Sequence, residues 1–309
     1  RVSDYGGSTE KERIQRRNEI IHIAKTYNYN SILAGYGFMA EDPALAASIS
    51  KAGLLYIGPN ANVSQRAGQK DEAKNLAVKT GVSVVPGIND LVARALCSKA
   101  KNGIADLAIQ LNLPVPQGET ESIKAENLTK FAKPKKVELL SLKEFIKYAT
   151  EEITKFSQKF PNKNFRLKAV NAGGGKGQRV ILKDKFDHIP RLIQEIIQET
   201  GATDSAGEQN ILVELNLEST RHYEIQLIGN GDWCISMGGR DCSVQMHSQK
   251  LIEVSLTTEE LSIQEKLERT SNNDTIAALM RNEKLLLESM EKQAETFGLA
   301  VGLDSASTF

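Results

Sequence analysis

A run of glycines accompanied by lysines lies near the middle of the chain and has the composition of an anion-binding loop. In the stretch KAVNAGGGKGQRV, Lys168 precedes the run and Lys176 lies within it. The glycines are Gly173, Gly174, Gly175 and Gly177. Each costs about 0.5–1 kcal/mol of folding free energy relative to alanine. Without Cβ atoms, however, backbone N–H groups can surround a phosphate, and the lysines add positive charge. The alternative explanation is a flexible hairpin with a solvated lysine.

The spacing of these glycines excludes two familiar nucleotide-binding motifs. A P-loop requires GxxxxGK followed by Ser or Thr, but Gly175-Lys176 is followed by another glycine and has Val170 at the first glycine position. A GxGxxG fingerprint that starts at Gly173 fails at Gln178. Because the run lies between the strand-like segments FRLKAV and QRVIL, it predicts a β-hairpin connection. A nucleotide bound here would lie under a hinged hairpin lid.

Two further segments could complete a nucleotide site. Glu214 lies at the end of the strand-like run NILVELNL, and the Asn216–Leu217 backbone after it could pair with adenine through main-chain groups. The segment GGRDCSVQMHSQKLIE is strand-like but rich in polar residues. These are Arg240, Asp241, Gln245, His247, Lys250 and Glu253. Alternation along a strand predicts one polar face, which we interpret as the lining of a cleft rather than a solvated hairpin. That face would consist of Asp241, Ser243, Gln245 and His247.

The composition is that of a globular protein. The chain has 309 residues, of which 40% are hydrophobic and 25% are charged, and 39 basic residues balance 39 acidic ones. A formal net charge of zero argues against a general nucleic-acid binder. No apolar run approaches the ~18 residues of a membrane span. The three cysteines form no CxxC pair, which favours reduced thiols over disulfides or a zinc cluster.

Helix and strand signals show which elements must position these residues. The first third alternates between the two, a pattern typical of a parallel sheet covered by helices. A strand is predicted to end at Pro86–Gly87, and residues 88–160 are mainly helical and charged. Thr257 and Glu260 form a capping box that begins a helical region. The last helix is predicted to bury one face, consisting of Leu286, Met290, Ala294 and Phe297.

Five segments resemble the biotin carboxylase family, the ATP-grasp ligase component of acetyl-CoA, propionyl-CoA and pyruvate carboxylases. They occur in the family's order and nearly its spacing, from about residue 18 to the C-terminus except for 88–160. The segments are AGYGFMAEDPALAASISKAGLLYIGPN, AGQKDEAKNLAVKTGVSVVPG, LKAVNAGGGKGQRV, VELNLESTRHYEIQLIGNG and GGRDCSVQMHSQKLIE. The resemblance implies an α/β fold, with a partial Rossmann-like pre-ATP-grasp domain followed by an ATP-grasp fold with a β-hairpin lid.

The resemblance also implies a domain organisation. The end of the pre-ATP-grasp domain would occupy 1–62, and a linker helix and strand 63–87. The lid subdomain, with a long helical insert, would occupy 88–216, and the start of the C-terminal ATP-grasp subdomain 217–309. We expect a piece truncated at both ends and inactive by itself.

Where residues match, the resemblance implies roles at the phosphate end of the nucleotide. Lys70 resembles the lysine that contacts ATP phosphates from the linker. Lys168 looks like the lysine that bridges the α- and β-phosphates. The four glycines match the lid loop that closes over them.

The resemblance implies further roles around the nucleoside and the reacting groups. Glu214 and the main chain up to Leu217 resemble the adenine and ribose site, and His222 matches a histidine near the nucleotide. Gln245 and Lys250 match residues at the phosphate and bicarbonate site and are the candidate catalytic residues. No metal ligand is expected within residues 1–309.

The implied ligands and partners are those of the family. They are ATP with Mg²⁺ or Mn²⁺, bicarbonate as substrate, and biotin on a carrier domain. A carboxyltransferase would act with the carrier, on the same chain or on separate subunits, in a homo-oligomer that binds neither nucleic acid nor membrane. The expected compartment is the cytoplasm, with the mitochondrial matrix as the alternative.

Two alternatives stay open, and departures from the family pattern motivate the second. Ser248 replaces a family histidine, His247 replaces an arginine, and residues 88–160 are much longer than the usual connection. The first alternative is another bicarbonate-activating ATP-grasp ligase, of the carbamoyl-phosphate type. The second is a catalytically inactive nucleotide-binding or scaffold module of a large carboxylase.

Overall fold

A computed structural model describes residues 9–35, 39–68, 70–169, 177–200, 211–246 and 249–309. Its helices, in chain order, are α1 (Glu10–Thr26), α2 (Pro43–Lys51), α3 (Ala61–Gly68), α4 (Lys70–Lys79), α5 (Leu91–Lys99), α6 (Ile104–Gln110), α7 (Glu121–Lys135), α8 (Leu142–Ser157), α9 (Ile189–Thr200), α10 (Thr258–Thr270) and α11 (Asp274–Val301). Its strands are β1 (Ser31–Leu33), β2 (Leu55–Ile57), β3 (Gly87–Ile88), β4 (Phe165–Ala169), β5 (Gln178–Ile181), β6 (Ile211–Leu215), β7 (Tyr223–Gly229), β8 (Cys234–Met246), β9 (Gln249–Leu256) and β10 (Ala306–Thr308).

The chain divides into two compact units. Unit 1 combines Arg1–Val84 with Arg221–Phe309, and unit 2 is the continuous segment Val85–Thr220. The four-part domain organisation proposed from the sequence stays a prediction.

Unit 2 is built on an antiparallel sheet with the strand order β3-β6-β4-β5. β4 and β5 are antiparallel neighbours, as predicted for a hairpin, and Lys168 lies opposite Gln178. Side chains alternate along β4, so Phe165, Leu167 and Ala169 are buried in the core while the intervening residues face the other side. Helices α5, α8 and α9 contact the strands.

The predicted helical stretch forms α5 to α8, and local sequence explains why α8 begins where it does. Ser141 accepts a hydrogen bond from the Glu144 backbone, and the Glu144 side chain accepts one from the Ser141 backbone, which completes a capping box. Apolar residues at helical spacing then form the buried face of this helix. They are Phe145, Ile146, Ala149 and Ile153.

Unit 1 contains two sheets. β1 and β2 pair in parallel, as the alternation of helix and strand predicts, and α2 packs beside them. The second sheet is antiparallel, with the order β10-β7-β8-β9, and α11 packs on β7 and β8. α10 begins at the predicted capping box of Thr257 and Glu260. The core that includes this sheet joins residues from both chain segments, among them Val63, Ile225 and Leu287.

The prediction of a strand that ends at Pro86–Gly87 is wrong about which residues form the strand. Residues 82–86 have no strand structure, and β3 is only two residues long. The Ser83 N–H donates to the Gln293 side chain at 2.7 Å, and Pro86 has no N–H to offer a neighbouring strand. Apolar character alone therefore did not produce a strand here.

The predicted buried face of the last helix is wrong at one position. Leu286 is 52% exposed, whereas Leu287 is 3% exposed and lies against Gly239 of β8. Two helical turns separate Leu287 from Ala294, so these two share a face while Leu286 lies beside it. The other predicted positions are buried or half-buried: Met290, Ala294 and Phe297.

None of the helices within the described ranges combines the length and the apolar composition needed to cross a lipid bilayer.

Candidate functional site

In unit 2, the sheet face opposite the apolar core, called the polar face below, carries charged and amide side chains beside Val180 and Leu212. Lys168 and Arg166 alternate with buried residues along β4, and their direct cross-strand neighbours share their face. Lys168 lies opposite Gln178 of β5, and Arg166 lies opposite Glu214 of β6. Three strands thus bring charged and amide side chains together on one surface.

Lys168 forms an ion pair with Glu214. Its Nζ contacts Oε1 of Glu214, and the two side chains are 30% and 14% exposed. The predicted phosphate residue and the predicted ribose residue therefore lie side by side at the polar face. The carboxylate orients the ammonium at this face, where an anionic ligand would compete with Glu214 for it.

Arg166 is held by two amide oxygens. Its Nε and Nη2 donate to Asn216 Oδ1 at 3.0 and 2.8 Å, and its Nη1 donates to Gln178 Oε1 at 3.1 Å. Sequence reasoning missed Arg166, although its spacing of two from Lys168 on a strand was a signal that the two share a face.

The hairpin turn at the head of this face is described only in part. Gly177 has a φ of 65°, in the region that favours glycine, and its carbonyl accepts a hydrogen bond from the Ala169 N–H at 2.9 Å. The other predicted loop glycines lie outside the described residues; they are Gly173, Gly174 and Gly175. Leu217, the end of the predicted adenine segment, follows β6 and is 54% exposed.

In unit 1, a cluster of charged and polar side chains surrounds Glu224 on β7. Lys250 Nζ lies 2.5 Å from Oε1 of Glu224, and Arg240 Nη2 lies 3.0 Å from Oε2. His222 Nε2 lies 3.7 Å from Oε1 of the same carboxylate. Gln245 Nε2 lies 2.6 Å from Nδ1 of His222, so the cluster joins three predicted site residues. The predicted ones are His222, Gln245 and Lys250.

Glu224 was missed by sequence reasoning, although its spacing from His222 was a signal. Residues two apart on a strand share a face, and "RHYEIQ" places Glu224 two positions after His222. The structure shows that Glu224 is the carboxylate to which both cations of the cluster bind.

The pairing of β8 with β9 is irregular at Val244, within the predicted polar face of β8. The pairing of β8 with β9 shifts between Asp241 and Val244 and again before Gln245. Gln245 contacts the His222 ring, the Ser243 hydroxyl accepts from the His222 N–H, and Asp241 accepts from Arg221 and Ser243, so the three described members of this face contact one short segment. His247, the fourth predicted member, lies outside the described residues, as does Ser248.

The electrostatics of the Glu224 cluster favour the charged forms. Burial by itself would raise the pKa of Glu224, but hydrogen bonds from Lys250 and Arg240 outweigh it and hold the pKa below its ordinary value. The hydrogen bond to Glu224 raises the pKa of Lys250 in return. The carboxylate and the ammonium are therefore both ionised at neutral pH.

A second ionic group joins β7 to α11. Arg221 lies 2.5 Å from Asp241 Oδ2 and 2.9 Å from Glu283 Oε1, with its guanidinium over the Tyr223 ring. The Tyr223 hydroxyl donates to Glu283 at 2.6 Å. Burial, together with this hydrogen bond, raises the pKa of Tyr223. These contacts anchor the strand segment that carries His222.

A cavity of about 650 Å³ lies in unit 1 at the carboxyl ends of β1 and β2. Residues after both strands line it, including Gly35 and Pro59, with Tyr56 and the segment 305–309. Crevices at the carboxyl ends of parallel strands are common ligand sites in α/β folds.

The structure leaves two site predictions open. Lys70 is the first residue of α4, but its side chain lies outside the described part of the structure. Within the described ranges, no group of three or more His, Cys, Asp or Glu side chains could hold a metal ion.

Two family sequence models match the chain. The biotin carboxylase N-terminal domain matches residues 3–63, and the ATP-binding domain of the carbamoyl-phosphate synthase L chain matches residues 143–276. The second match contains both the Lys168–Glu214 pair and the Glu224 cluster.

Curated relatives are large proteins of which this chain spans a small part. It is 29% identical to pyruvate carboxylase 1 of Caenorhabditis elegans, over 77% of this chain and 15% of that protein. It is 26% identical to urea amidolyase of Saccharomyces cerevisiae and to the mitochondrial methylcrotonoyl-CoA carboxylase subunit alpha of Dictyostelium discoideum. Each of those matches covers 80% of this chain, but only 10% and 27% of the relatives.

Solved structures share the fold. The biotin carboxylase domain of Hydrogenobacter thermophilus 2-oxoglutarate carboxylase, in complex with MgADP, ADP and bicarbonate, has a TM-score of 0.58 at 22% identity and covers 94% of this chain and 47% of that one. A biotin carboxylase from Campylobacter jejuni with a bound β,γ-ATP ligand has a TM-score of 0.59 at 21% identity, over 98% and 50%. The chain thus has the α/β fold of these domains, with the pre-ATP-grasp and ATP-grasp parts that the sequence predicts.

Proposed function

We propose, since this chain belongs to the biotin carboxylase family, that it provides the nucleotide-binding part of a ligase that carboxylates biotin with bicarbonate at the expense of ATP. The observation that carries the proposal is that one family match, over residues 143–276, contains both the Lys168 hairpin and the Glu224 cluster. One is suited to bind phosphates, and the other offers cations and an amide around a central carboxylate.

The proposed reaction has two steps. An oxygen of bicarbonate attacks the γ-phosphorus of ATP, an O–P bond forms, and the bond to the bridging oxygen breaks, so that ADP leaves. Cleavage of the C–O bond of the resulting carboxyphosphate delivers CO₂ to a ureido nitrogen of biotin, which gives up its proton to the released phosphate. Carboxyphosphate is unstable in water, so a site that excludes solvent favours the second step.

The residues of this chain would bind and orient the reactants. Lys168 would contact the phosphates, and main-chain groups up to Leu217 would contact adenine. Lys250 and Gln245 would lie at the phosphate and bicarbonate end, with His222 near the nucleotide. Fixed cations aimed at charge that develops on transferred phosphate oxygens are the main source of rate in such reactions.

The remaining parts of the proposal rest on the relatives. Mg²⁺, or Mn²⁺, would accompany ATP and neutralise phosphate charge, and no residue of this chain is assigned to it. We place the chain in a carboxylase of the acetyl-CoA or acyl-CoA type, which the methylcrotonoyl-CoA carboxylase relative supports. A biotin carrier and a carboxyltransferase would be its partners in a homo-oligomer. The cytoplasm or the mitochondrial matrix would be its compartment.

The experiment is an ATPase assay of the full reading frame that contains this chain. We expect ATP hydrolysis that requires bicarbonate and rises with free biotin. Lys168→Met should lower kcat/KM for ATP by roughly 10²–10³-fold, because it removes a cation from the transferred phosphates. Lys155→Met is the matched control, since Lys155 is an exposed lysine of the same unit that pairs with Glu152.

A second candidate, a ligase of the carbamoyl-phosphate type, is favoured by the name of the ATP-binding family model. It would hydrolyse ATP with bicarbonate and ammonia and ignore biotin. A scaffold module would show no bicarbonate-dependent hydrolysis with either acceptor. Either result would contradict the biotin carboxylase proposal.

A further inference from the structure

We propose that the guanidinium of Arg166 stacks on the base of the nucleotide whose phosphates Lys168 contacts, and so contributes the base-dependent part of its affinity. This inference rests on the function proposed above. It adds a contact residue to the nucleotide site that the sequence resemblance does not assign.

The position of Arg166 along β4 is the first argument. Lys168 lies next to the hairpin turn, since the following residue, Ala169, bonds the Gly177 carbonyl. Arg166 is two residues farther from that turn on the same face, roughly 7 Å along the strand. A nucleotide that places its phosphates at Lys168 and extends along the strand away from the turn brings its base to Arg166.

The second argument is that this end of the face is also the predicted adenine end. Asn216, which accepts two hydrogen bonds from Arg166, belongs to the segment that follows β6. The main chain of the same segment, as far as Leu217, is the part predicted to pair with adenine. A base held by that main chain would have Arg166 beside it.

The third argument is the way in which the guanidinium is held. The amide oxygens of Gln178 on β5 and of Asn216 in the segment after β6 approach it at 2.8 to 3.1 Å and so fix its plane. Neutral oxygens orient the group without cancelling its charge. The next arginine of the hairpin differs, because Arg179 bonds the carboxylates of Glu195 and Glu199 on α9, a structural ion pair.

A planar cation fixed in this way is suited to stacking on a base. A guanidinium attracts aromatic faces electrostatically and offers a flat surface, which the ammonium of lysine does not. Stacking on a base is typically worth enough that its removal weakens binding by roughly tenfold.

The test is calorimetric titration of the full reading frame with MgATP and with magnesium tripolyphosphate, which has phosphates but no base. Arg166→Ala should weaken ATP binding by roughly tenfold and change tripolyphosphate binding by less than about twofold. Arg166→Lys, which keeps the charge and the fold-compatible length, should resemble Arg166→Ala. Lys168→Met should weaken both ligands, and Arg191→Ala, at a 63% exposed arginine of α9, should weaken neither.

The outcomes separate this inference from the function on which it rests. If Arg166→Ala weakens both ligands equally, or neither, or if Arg166→Lys restores ATP binding, Arg166 does not contact the base and the inference is wrong while ATP binding stands. A wild-type protein that binds neither ATP nor tripolyphosphate would overturn the proposed function and this inference together.

Discussion

Glu224 is the residue on which the charged cluster of unit 1 is centred. Its side chain is 14% exposed, and it bonds Lys250 and Arg240 through different oxygens. Glu253 contacts the same two cations from 3.2 and 3.9 Å, but it is 41% exposed. The two glutamates thus contact the same two cations but differ in burial. Comparing variants of the two therefore separates the effect of burial on stability from the effect of charge.

At this scale we expect Glu224→Gln to lower the free energy of unfolding at pH 7 by roughly 1.5–3 kcal/mol, the usual worth of hydrogen bonds to charged groups. The pKa of Glu224 is lowered in the folded state, so its contribution is present above the unfolded pKa, about 4.3, and is lost as pH falls through the folded value. The difference between wild type and variant should therefore shrink between pH 5 and pH 3. Urea unfolding at several pH values measures it.

Glu253→Gln is the control for this prediction. An exposed ion pair is worth about 0–1 kcal/mol, so this variant should stay close to wild type at every pH. Equal losses in the two variants, or a loss in Glu224→Gln that does not depend on pH, would show that Glu224 is not the centre of the cluster.

Site residues were predictable where their chemistry follows from the spacing of residues in the sequence. They were less predictable where it depends on how two strands pair. The pairing of Lys168 with Glu214 joins two residues that the sequence already assigned to one nucleotide. The irregular pairing at Val244 was not foreseen, because a bulge is a property of two paired strands, not of one strand's residue pattern. Arg166 could have been noticed from its spacing to Lys168, but its acceptors Gln178 and Asn216 follow only from the way β4 pairs with its neighbours.

At the scale of elements, the packing of α11 on its sheet buries only one of two adjacent leucines. Leu287 is buried against the sheet, and a Cβ placed on Gly239 would lie 2.8 Å from its Cδ1. Leu286, its neighbour in sequence, is 52% exposed. The bare backbone of Gly239 leaves room for the Leu287 side chain at this point.

We therefore expect Leu287→Ala to destabilise unit 1 by about 2–5 kcal/mol, the usual cost of a cavity left by a buried leucine. Leu286→Ala should change the stability by no more than about 0.5 kcal/mol. Guanidinium unfolding of both variants measures the difference. Similar losses at the two positions would mean that the helix packs through a broader face than the one described here.

Elements were predictable from local signals and failed where tertiary contacts decide. The capping box of Thr257 and Glu260 located the start of α10, because this signal acts within a few residues. Residues 82–86 resembled a strand, but the Ser83 N–H bonds a helix side chain, and pairing with β6 begins only at the Pro86 carbonyl, which accepts from the Leu215 N–H at 3.0 Å. A strand requires a neighbour that the segment itself does not specify.

At the scale of the whole molecule, the two units differ in how their cores use the chain. Every buried residue of the main core of unit 2 lies between Ile88 and Val213. The core of unit 1 instead joins Val63 to residues beyond position 220, such as Ile225 and Leu287. Unit 2 is thus a continuous segment placed within the sequence of unit 1.

This difference predicts which pieces of the chain can fold alone. A segment with its own apolar core has what an independent domain needs, so residues 85–220 should unfold cooperatively on heating and give a dispersed NMR spectrum. Residues 1–84 by themselves should do neither, because Val63 would lose its core partners.

Within the 85–220 fragment, Phe165→Ala should lower the free energy of unfolding by about 3–5 kcal/mol, since Phe165 is fully buried between Phe156 and Phe186. Phe131→Ala, at a 38% exposed position, should cost clearly less. An 85–220 fragment without a cooperative transition would show that its fold depends on the rest of the chain.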